Sequence, residues 1–218
     1  EWRTMATKLS EHTSTGEAFT SNDHFRLINA GPAWSGFLKT RQGIHKSFKH
    51  ERLITMSQQT LVKIRNHLDA AGISYREVQH EPTRTSEESA AARGEDMRIG
   101  AKALLLKTDD VFRLFVLPAD RKMNSTAIRR YLGVGKTRFA TVQELHTMVD
   151  LVPGCVPPFG EPILPFKLYA DNAIGTETDK VAFKAGLLTH SVIMAASDWL
   201  NIAQPARFQF AIDVGSGR

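Results

Sequence analysis

The composition of the chain changes abruptly at Met56, and this break limits how much of the 218-residue sequence can fold around one core. Residues 1–55 show no sustained helical or strand periodicity, and their aromatic residues are scattered among Thr, Ser, Gly and Asn. Such a stretch has little means of burying a continuous apolar face. We therefore expect residues 1–55 to be a disordered leader or an upstream extension, and residues 56–218 to form a single domain.

The composition excludes several classes of protein. The single cysteine, Cys155, allows neither an internal disulfide nor a structural zinc site built from several thiolates. The longest apolar runs, such as residues 103–106 and 114–117, are far shorter than the ~18 residues of a membrane-spanning helix, so we expect no membrane partner. The net charge of +5 favours a polyanionic partner only weakly, because +3 of it lies in residues 1–55 (eight basic minus five acidic residues).

Helices and strands are predicted in mixed order over the folded part. Apolar residues at helical spacing, together with capping signals, predict helices over residues 57–71, 86–93 and 125–132, from Thr141 onward, and around 198–202. Short apolar runs predict strands over residues 73–78, 100–107, 111–117, 166–170, 181–184 and 191–195. Because the order is not a strict strand–helix–strand alternation, the pattern indicates an α+β domain rather than a doubly wound fold.

One segment imitates a nucleotide-binding motif. The sequence GVGKT at Gly133–Thr137 ends like a phosphate-binding loop, but the first glycine of the full motif would have to stand at Arg130. A predicted helix, not a strand, also precedes the segment. We therefore interpret Gly133 as the end of that helix and reject an ATPase or GTPase.

Six short segments occur in a recognisable order along the folded part. They are HEPTRTSEESAA at 80–91, GAKALLL at 100–106, VLPADR at 116–121, PGCVPPFG at 153–160, LYAD at 168–171 and AGLLTHS at 185–191. Together they resemble the YbaK/EbsC family, which includes the editing domain inserted in bacterial prolyl-tRNA synthetases, over roughly residues 57–210. The resemblance implies a single domain with a mixed, strongly curved β-sheet flanked by helices.

The resemblance also implies a function. It predicts a cytoplasmic enzyme that acts in trans on mischarged tRNA and hydrolyses the ester between the amino acid and the terminal ribose, with Cys or Ala on tRNA for proline as the first expected substrates. It implies no metal or organic cofactor, a synthetase as a further possible partner, and a monomer. The alternatives are a non-catalytic module of the same fold that binds tRNA or a synthetase, and, more weakly, a small-molecule hydrolase.

In the family, the residue most closely tied to activity corresponds to Lys102. Ester hydrolysis needs donors for the developing oxyanion, and a lysine supplies a cation for the carbonyl oxygen or for the terminal phosphate. The alternative is a lysine that extends from a strand edge into solvent. The family's glycine–proline loop shapes the amino-acid pocket, so we expect substrate contacts from Gly154, Cys155, Pro157, Pro158, Phe159 and Gly160.

Further substrate-binding candidates lie outside this loop, and each has a structural alternative. His80 faces the cleft or belongs to a turn, and Asp171 accepts from the substrate ammonium or initiates a turn. Within the loop, by contrast, Cys155 has no evident activating neighbour, so a small lining residue is favoured over a nucleophile. His190 orients the substrate or is an ordinary exposed histidine. The complete set of these candidates is His80, Thr85, Asp171, His190 and Ser191.

A run of positive charge is the candidate contact for tRNA. The segment from residue 121 to 138 contains six basic residues and no Asp or Glu, a distribution that suits phosphate neutralisation. The alternative is a solvated helix face. Aromatic platforms for unstacked bases are not obvious in it, so we expect most of the affinity to come from phosphates. The six residues are Arg121, Lys122, Arg129, Arg130, Lys136 and Arg138.

Overall fold

Three β-sheets, five α-helices and a short 3₁₀ helix make up residues 58–213, the part of the chain that the computed structural model describes. These residues belong to one compact unit, and the α+β class expected from the sequence is confirmed. The expectation for residues 1–55 lies outside the described residues. Within residues 58–213, no helix is long and apolar enough to cross a membrane.

The elements follow one another in mixed order. The helices are α1 (58–70), α2 (Ser86–Arg93), α3 (Ser125–Leu132), α4 (Val142–Val149) and α5 (Ala196–Ala203), with the 3₁₀ helix at Met97–Ile99. The strands are β1 (Tyr75–Gln79), β2 (Ala101–Thr108), β3 (Val111–Pro118), β4 (Arg121–Met123), β5 (Thr137–Phe139), β6 (Lys167–Asp171), β7 (Lys180–Lys184), β8 (His190–Ala195), β9 (Ala206–Phe208) and β10 (Ala211–Asp213).

The largest sheet has five strands in the order β5-β2-β3-β6-β9. Its centre is the β2–β3 hairpin, which pairs antiparallel from Ala101 opposite Pro118 to Thr108 opposite Val111. β6 and β9 join in parallel, and β5 joins β2 antiparallel, so the sheet is mixed as expected. The other sheets are the antiparallel β1-β8-β7 and the two-stranded β10-β4.

Two apolar clusters cover the two faces of the five-stranded sheet. Because successive side chains of a strand point to opposite faces, Leu114 of β3 packs in the main core while Phe115 packs in a second cluster with α3. The main core also holds side chains of β7, β8 and α5, including the fully buried Trp199. Helix α1 contributes a stripe at helical spacing, which consists of Leu61, Ile64 and Leu68.

Local sequence signals position several of these elements. Both predicted capping boxes are present: the Thr85 hydroxyl accepts from the Glu88 amide at the start of α2, and Thr141 does the same for Glu144 in α4. The structure also explains the GVGKT segment at Gly133–Thr137. It follows α3, and the amides of Gly135 and Lys136 donate to the carboxylate of Asp109 in the β2–β3 turn.

The mixed sheet that the resemblance implied is present as the five-stranded sheet, and its strong curvature stays a prediction. The prediction of individual strands, however, needs correction. The short strands β4, β5, β9 and β10 were not predicted, because three residues are too few to show a period of two. Their pairing comes from neighbouring strands rather than from their own sequence.

Asp171 is a second correction. Asp171 lies at the end of β6 and is 1% exposed. Its carboxylate accepts hydrogen bonds from three backbone amides, those of Ala173 (2.9 Å), Phe210 (2.6 Å) and Ala211 (2.6 Å). These three bonds occupy the carboxylate in tying β6 to the chain before and within β10. It therefore has a structural role, not the expected contact with a substrate ammonium.

Gly160 has no room for a side chain, which gives a test of the packing. A Cβ at this position would lie 2.7 Å from the Phe166 carbonyl oxygen, whereas a Cβ on Gly135 would meet nothing closer than 3.7 Å. We expect Gly160→Ala to lower the free energy of unfolding by about 1–3 kcal/mol through overpacking. The matched control Gly135→Ala should change it by less than about 0.5 kcal/mol. Urea denaturation measures both, and equal stabilities would contradict this packing.

Candidate active site

A pocket of about 210 Å³ opens between α2, the start of β2 and the end of β7. The chain just before α2 contributes Arg84 and Thr85, and the glycine–proline loop contributes Gly154 and Val156. Ala119, at the turn after β3, completes the wall beside Lys102. The pocket therefore brings together four of the segments on which the family resemblance was based: residues 80–91, 100–106, 116–121 and 153–160.

The lining of this pocket is strongly one-signed. Four basic side chains line it, Arg84, Arg93, Lys102 and Lys184, and among its described lining residues there is no Asp, Glu, His or Cys. A pocket of this composition attracts anionic groups and stabilises negative charge that develops inside it. Its lysines donate to backbone carbonyls and to Thr83, and among the described lining residues no hydrogen bond joins a hydroxyl to a group that could act as its base.

Lys102 is held by backbone carbonyls beside the pocket. Its Nζ donates to the carbonyl oxygens of Arg121 (2.7 Å) and Ala119 (3.4 Å). An ammonium group has three N–H donors, so one remains for a ligand. Burial lowers the pKa of Lys102, and the charges of Asp120 and Glu87 oppose that shift. The lysine is thus fixed in place rather than extended into solvent.

Lys184 and Arg93 line the same pocket, and sequence reasoning did not identify them. Lys184 is 7% exposed at the end of β7, and its Nζ donates to Thr83 O (3.0 Å), to Thr83 Oγ1 and to Leu188 O (2.9 Å). Burial, followed by the charge of Arg93, lowers its pKa to about 8. The signal for Arg93 was its spacing: it lies four residues after the buried Ser89 on one face of α2.

The glycine–proline loop divides between the pocket and the core. Gly154 lines the pocket at φ +90°, a left-handed conformation that favours glycine. By contrast, the segment 157–160 is buried: the ring of Phe159 meets that of Phe183 at 5.3 Å, and the Pro158 carbonyl accepts from Trp199 Nε1. The expected substrate contacts of four loop residues are therefore not found in this pocket, because the four pack in the core and hold the loop there. They are Pro157, Pro158, Phe159 and Gly160.

Cys155 is also turned away from the pocket lining. It is 1% exposed, and its Sγ donates to the Val152 carbonyl. Burial raises the pKa of the Cys155 thiol to about 11, so the thiol is protonated at neutral pH. A protonated, buried thiol is a poor nucleophile, as expected. The small lining residue favoured from the sequence is not found either, because Cys155 packs in the main core instead of lining this pocket.

The two predicted histidines lie at the end of the β1–β8 pair and not in the pocket lining. His80 Nε2 lies 2.9 Å from the hydroxyl of the fully buried Ser191, and its Nδ1 lies 2.7 Å from the Glu81 carbonyl. His190 Nδ1 lies 2.8 Å from Thr189 Oγ1, and burial lowers its pKa. Of the candidates outside the loop, Thr85 alone lines the pocket, and its hydroxyl caps α2.

The basic segment 121–138 contains no acidic residue, but acidic residues from other parts of the chain lie next to two of its arginines. Arg121 forms ion pairs with Glu177 and Asp213, which come from distant parts of the chain, and Arg138 pairs with Glu144. Arg129 donates to the Thr126 hydroxyl. Within residues 58–213, no ion pair is found for the remaining three, which are Lys122, Arg130 and Lys136.

Solved structures show the same fold. The chain superposes with a TM-score of 0.60 on the crystal structure of a proposed trans-editing enzyme for prolyl tRNA synthetase, covering 70% of this chain and 97% of that one. The two sequences are 21% identical, so this likeness establishes the fold alone. The class of protein is therefore an α+β domain of the editing-domain fold.

The family follows from the sequence comparisons. The family model for the aminoacyl-tRNA editing domain matches residues 80–202, more than half of the chain, and the chain belongs to this family. It is 32% identical to the multifunctional Ser/Thr-tRNA deacylase ProXp-y of Escherichia coli K12, over 75% of this chain and 93% of that protein. It is 33% identical over 91 residues to a proline–tRNA ligase of Shouchella clausii, which covers 42% of this chain and 16% of the ligase.

These matches confirm the resemblance deduced from the sequence. They also confirm the class of activity expected from it, hydrolysis of aminoacyl-tRNA. They do not assign a role to any residue of the pocket.

Proposed function

We propose that the chain removes a small amino acid from mischarged tRNA in trans, and that the reaction takes place in the pocket beside Lys102. The observation that carries this proposal is the pocket's charge: four basic side chains and no carboxylate, imidazole or thiol among its described lining residues. Such a site suits an ester whose carbonyl oxygen becomes negative as water attacks. It does not suit a covalent intermediate on the protein.

The proposed roles follow from the geometry. Lys102 is anchored by two carbonyls and offers its third N–H to the carbonyl oxygen or to the terminal phosphate of the tRNA. Gly154, whose φ of +90° favours glycine, places backbone atoms in the wall of the same pocket. Donors fixed before binding cost no reorganisation in the transition state, and each is worth about 3 kcal/mol. Water is the nucleophile.

We propose serine and threonine as the amino acids removed. Supporting this, the relative covered over 93% of its length is named as a Ser/Thr-tRNA deacylase. Hydroxyl-bearing residues also line the pocket on the α2 side, and they are Thr85, Ser86 and Ser89. The hydroxyls of Ser89 and Thr85 already bond within the protein, so Ser86 is the candidate to contact a substrate hydroxyl. Cys and Ala on tRNA for proline form the second candidate, favoured by the proline–tRNA ligase relatives.

Contact with tRNA phosphates is proposed for Lys122, Arg129, Arg130 and Lys136. These four form no ion pair within the described residues, whereas the ion pairs of Arg121 and Arg138 reduce the attraction of those two residues for phosphate. The backbone carbonyl of Arg121 holds Lys102 instead, so this residue acts on the site through its main chain.

A panel of mischarged tRNAs tests the proposed substrates. We expect the purified protein to hydrolyse seryl- and threonyl-tRNA at least about tenfold faster than alanyl-tRNA, because a site that bonds a hydroxyl rejects the analogue that lacks it. The measurement is the rate of amino-acid release for each tRNA, with cysteinyl-tRNA included. Preference for Cys or Ala would reverse the assignment, and binding without release from any tRNA would indicate a non-catalytic module.

Lys102→Ala tests the centre of the site. We expect it to lower kcat at least about 100-fold, the usual loss when one oxyanion donor is removed. The matched control is Lys107→Ala on the same strand, where the ammonium pairs with Asp110 and lies outside the pocket. Its kcat should stay near that of the parent, and circular dichroism checks that both variants fold. An active Lys102→Ala variant would exclude the proposed role.

A further inference from the structure

Arg93 is buried at the wall of the pocket. It is the last residue of α2 and is 6% exposed, on the helix face that also buries Ser89 and Ala90. The guanidinium lies next to Gly100: a Cβ on that glycine would be in van der Waals contact with Arg93 Nη2, at 3.6 Å. Both residues line the pocket, so the guanidinium lies beside the space that the substrate would enter.

The guanidinium has little to compensate its charge. Within residues 58–213 no hydrogen-bond partner is found for Arg93 Nε, and no carboxylate forms an ion pair with it. The nearby acid, Glu95, is paired with Arg76. Burial lowers the pKa of Arg93, against the attraction of Glu95. A buried cation without a partner destabilises the fold, so its presence calls for a ligand.

A second buried cation lies close to it. The three N–H donors of Lys184 are used by Thr83 and Leu188, so this lysine adds positive charge to the pocket but has no donor to spare. After burial, the charge of Arg93 is the second cause of the lowered pKa of Lys184, as expected for two cations that line one pocket. An anion bound in the pocket beside Arg93 and Lys184 would reduce the repulsion between the two cations. It would also accept the hydrogen bond that Arg93 Nε lacks.

We propose that Arg93, assisted by the charge of Lys184, binds an oxyanion of the substrate at a subsite separate from Lys102. The proposal rests on the proposed function, since the ligand is the aminoacylated end of tRNA. The oxyanion is either the phosphate of the terminal nucleotide or the oxygen of the ester carbonyl as negative charge develops on it. A guanidinium suits both, because its parallel N–H groups match two oxygens of one anion.

Thermal unfolding with inorganic phosphate tests the subsite without relying on catalysis. We expect phosphate to raise the Tm of the parent protein above that in sodium chloride of equal ionic strength, because a ligand of the folded state stabilises it. Arg93→Met should lose this shift and should be no less stable than the parent without phosphate, since an unpaired buried charge has been removed. The control is Arg98→Met, whose exposed guanidinium pairs with Asp96 and which should keep the shift.

Two outcomes of this measurement would overturn the proposal. One is a phosphate shift of equal size in Arg93→Met and the parent. The other is no shift in the parent at tens of millimolar phosphate.

Minimal substrates identify the source of the oxyanion. Seryl esters of adenosine and of adenosine 5′-phosphate differ only in the phosphate. If Arg93 binds the phosphate, Arg93→Met should lower kcat/KM at least about tenfold for the phosphorylated ester alone; if it binds the carbonyl oxygen, both esters should lose equally. Unchanged kcat/KM for both would overturn the proposal. If the parent protein hydrolyses no aminoacyl-tRNA, the proposed function fails, while the phosphate measurement still decides the subsite.

Discussion

The antiparallel pairing of β2 with β3 is the constraint on which the rest of the structure depends. Its register places Lys102 opposite Leu117, one residue before β3 ends. The carbonyls of Ala119 in the following turn and of Arg121 at the start of β4 therefore come within reach of the ammonium. The same hairpin carries β5 on one side and β6 on the other. A shift of one residue would turn Lys102 to the opposite face and exchange the two apolar clusters that cover the sheet.

The pocket contains basic side chains without acidic partners, whereas several basic side chains elsewhere in the described residues form ion pairs. At the surface, acids from distant segments pair with basic residues, as Glu177 does with Arg121. In the pocket, Lys102, Lys184 and Arg93 are held by carbonyls or left without a carboxylate. Unpaired buried charges lower the stability of a fold, and proteins keep such charges mainly at functional sites. The arrangement favours a bound group that is negative, or that becomes negative during hydrolysis.

Local signals in the sequence predicted much of this fold, and the parts that failed depend on distant contacts. The capping box at Thr85 and the β2–β3 hairpin are encoded within a few residues, so they were predictable. The role of Asp171 was not, because its three amide donors include two from a segment about forty residues later. The buried position of Lys184 was likewise not predictable, because its ammonium donates to Thr83, which is about one hundred residues away in the sequence. The position of Lys102 came from the resemblance, since strand periodicity alone does not separate a catalytic lysine from an exposed one.

The central claim is that cationic side chains, and no side-chain base, drive hydrolysis in this pocket. It is tested most directly by the single-turnover rate of aminoacyl-tRNA hydrolysis between pH 5.5 and 7.0, where Lys184, with a pKa of about 8, keeps its charge, and after correction for the spontaneous reaction. The account predicts a logarithm of the rate that rises steadily with pH, because the attacking water is not activated by an imidazole. An inflection of the profile that disappears in His80→Ala or His190→Ala would contradict it.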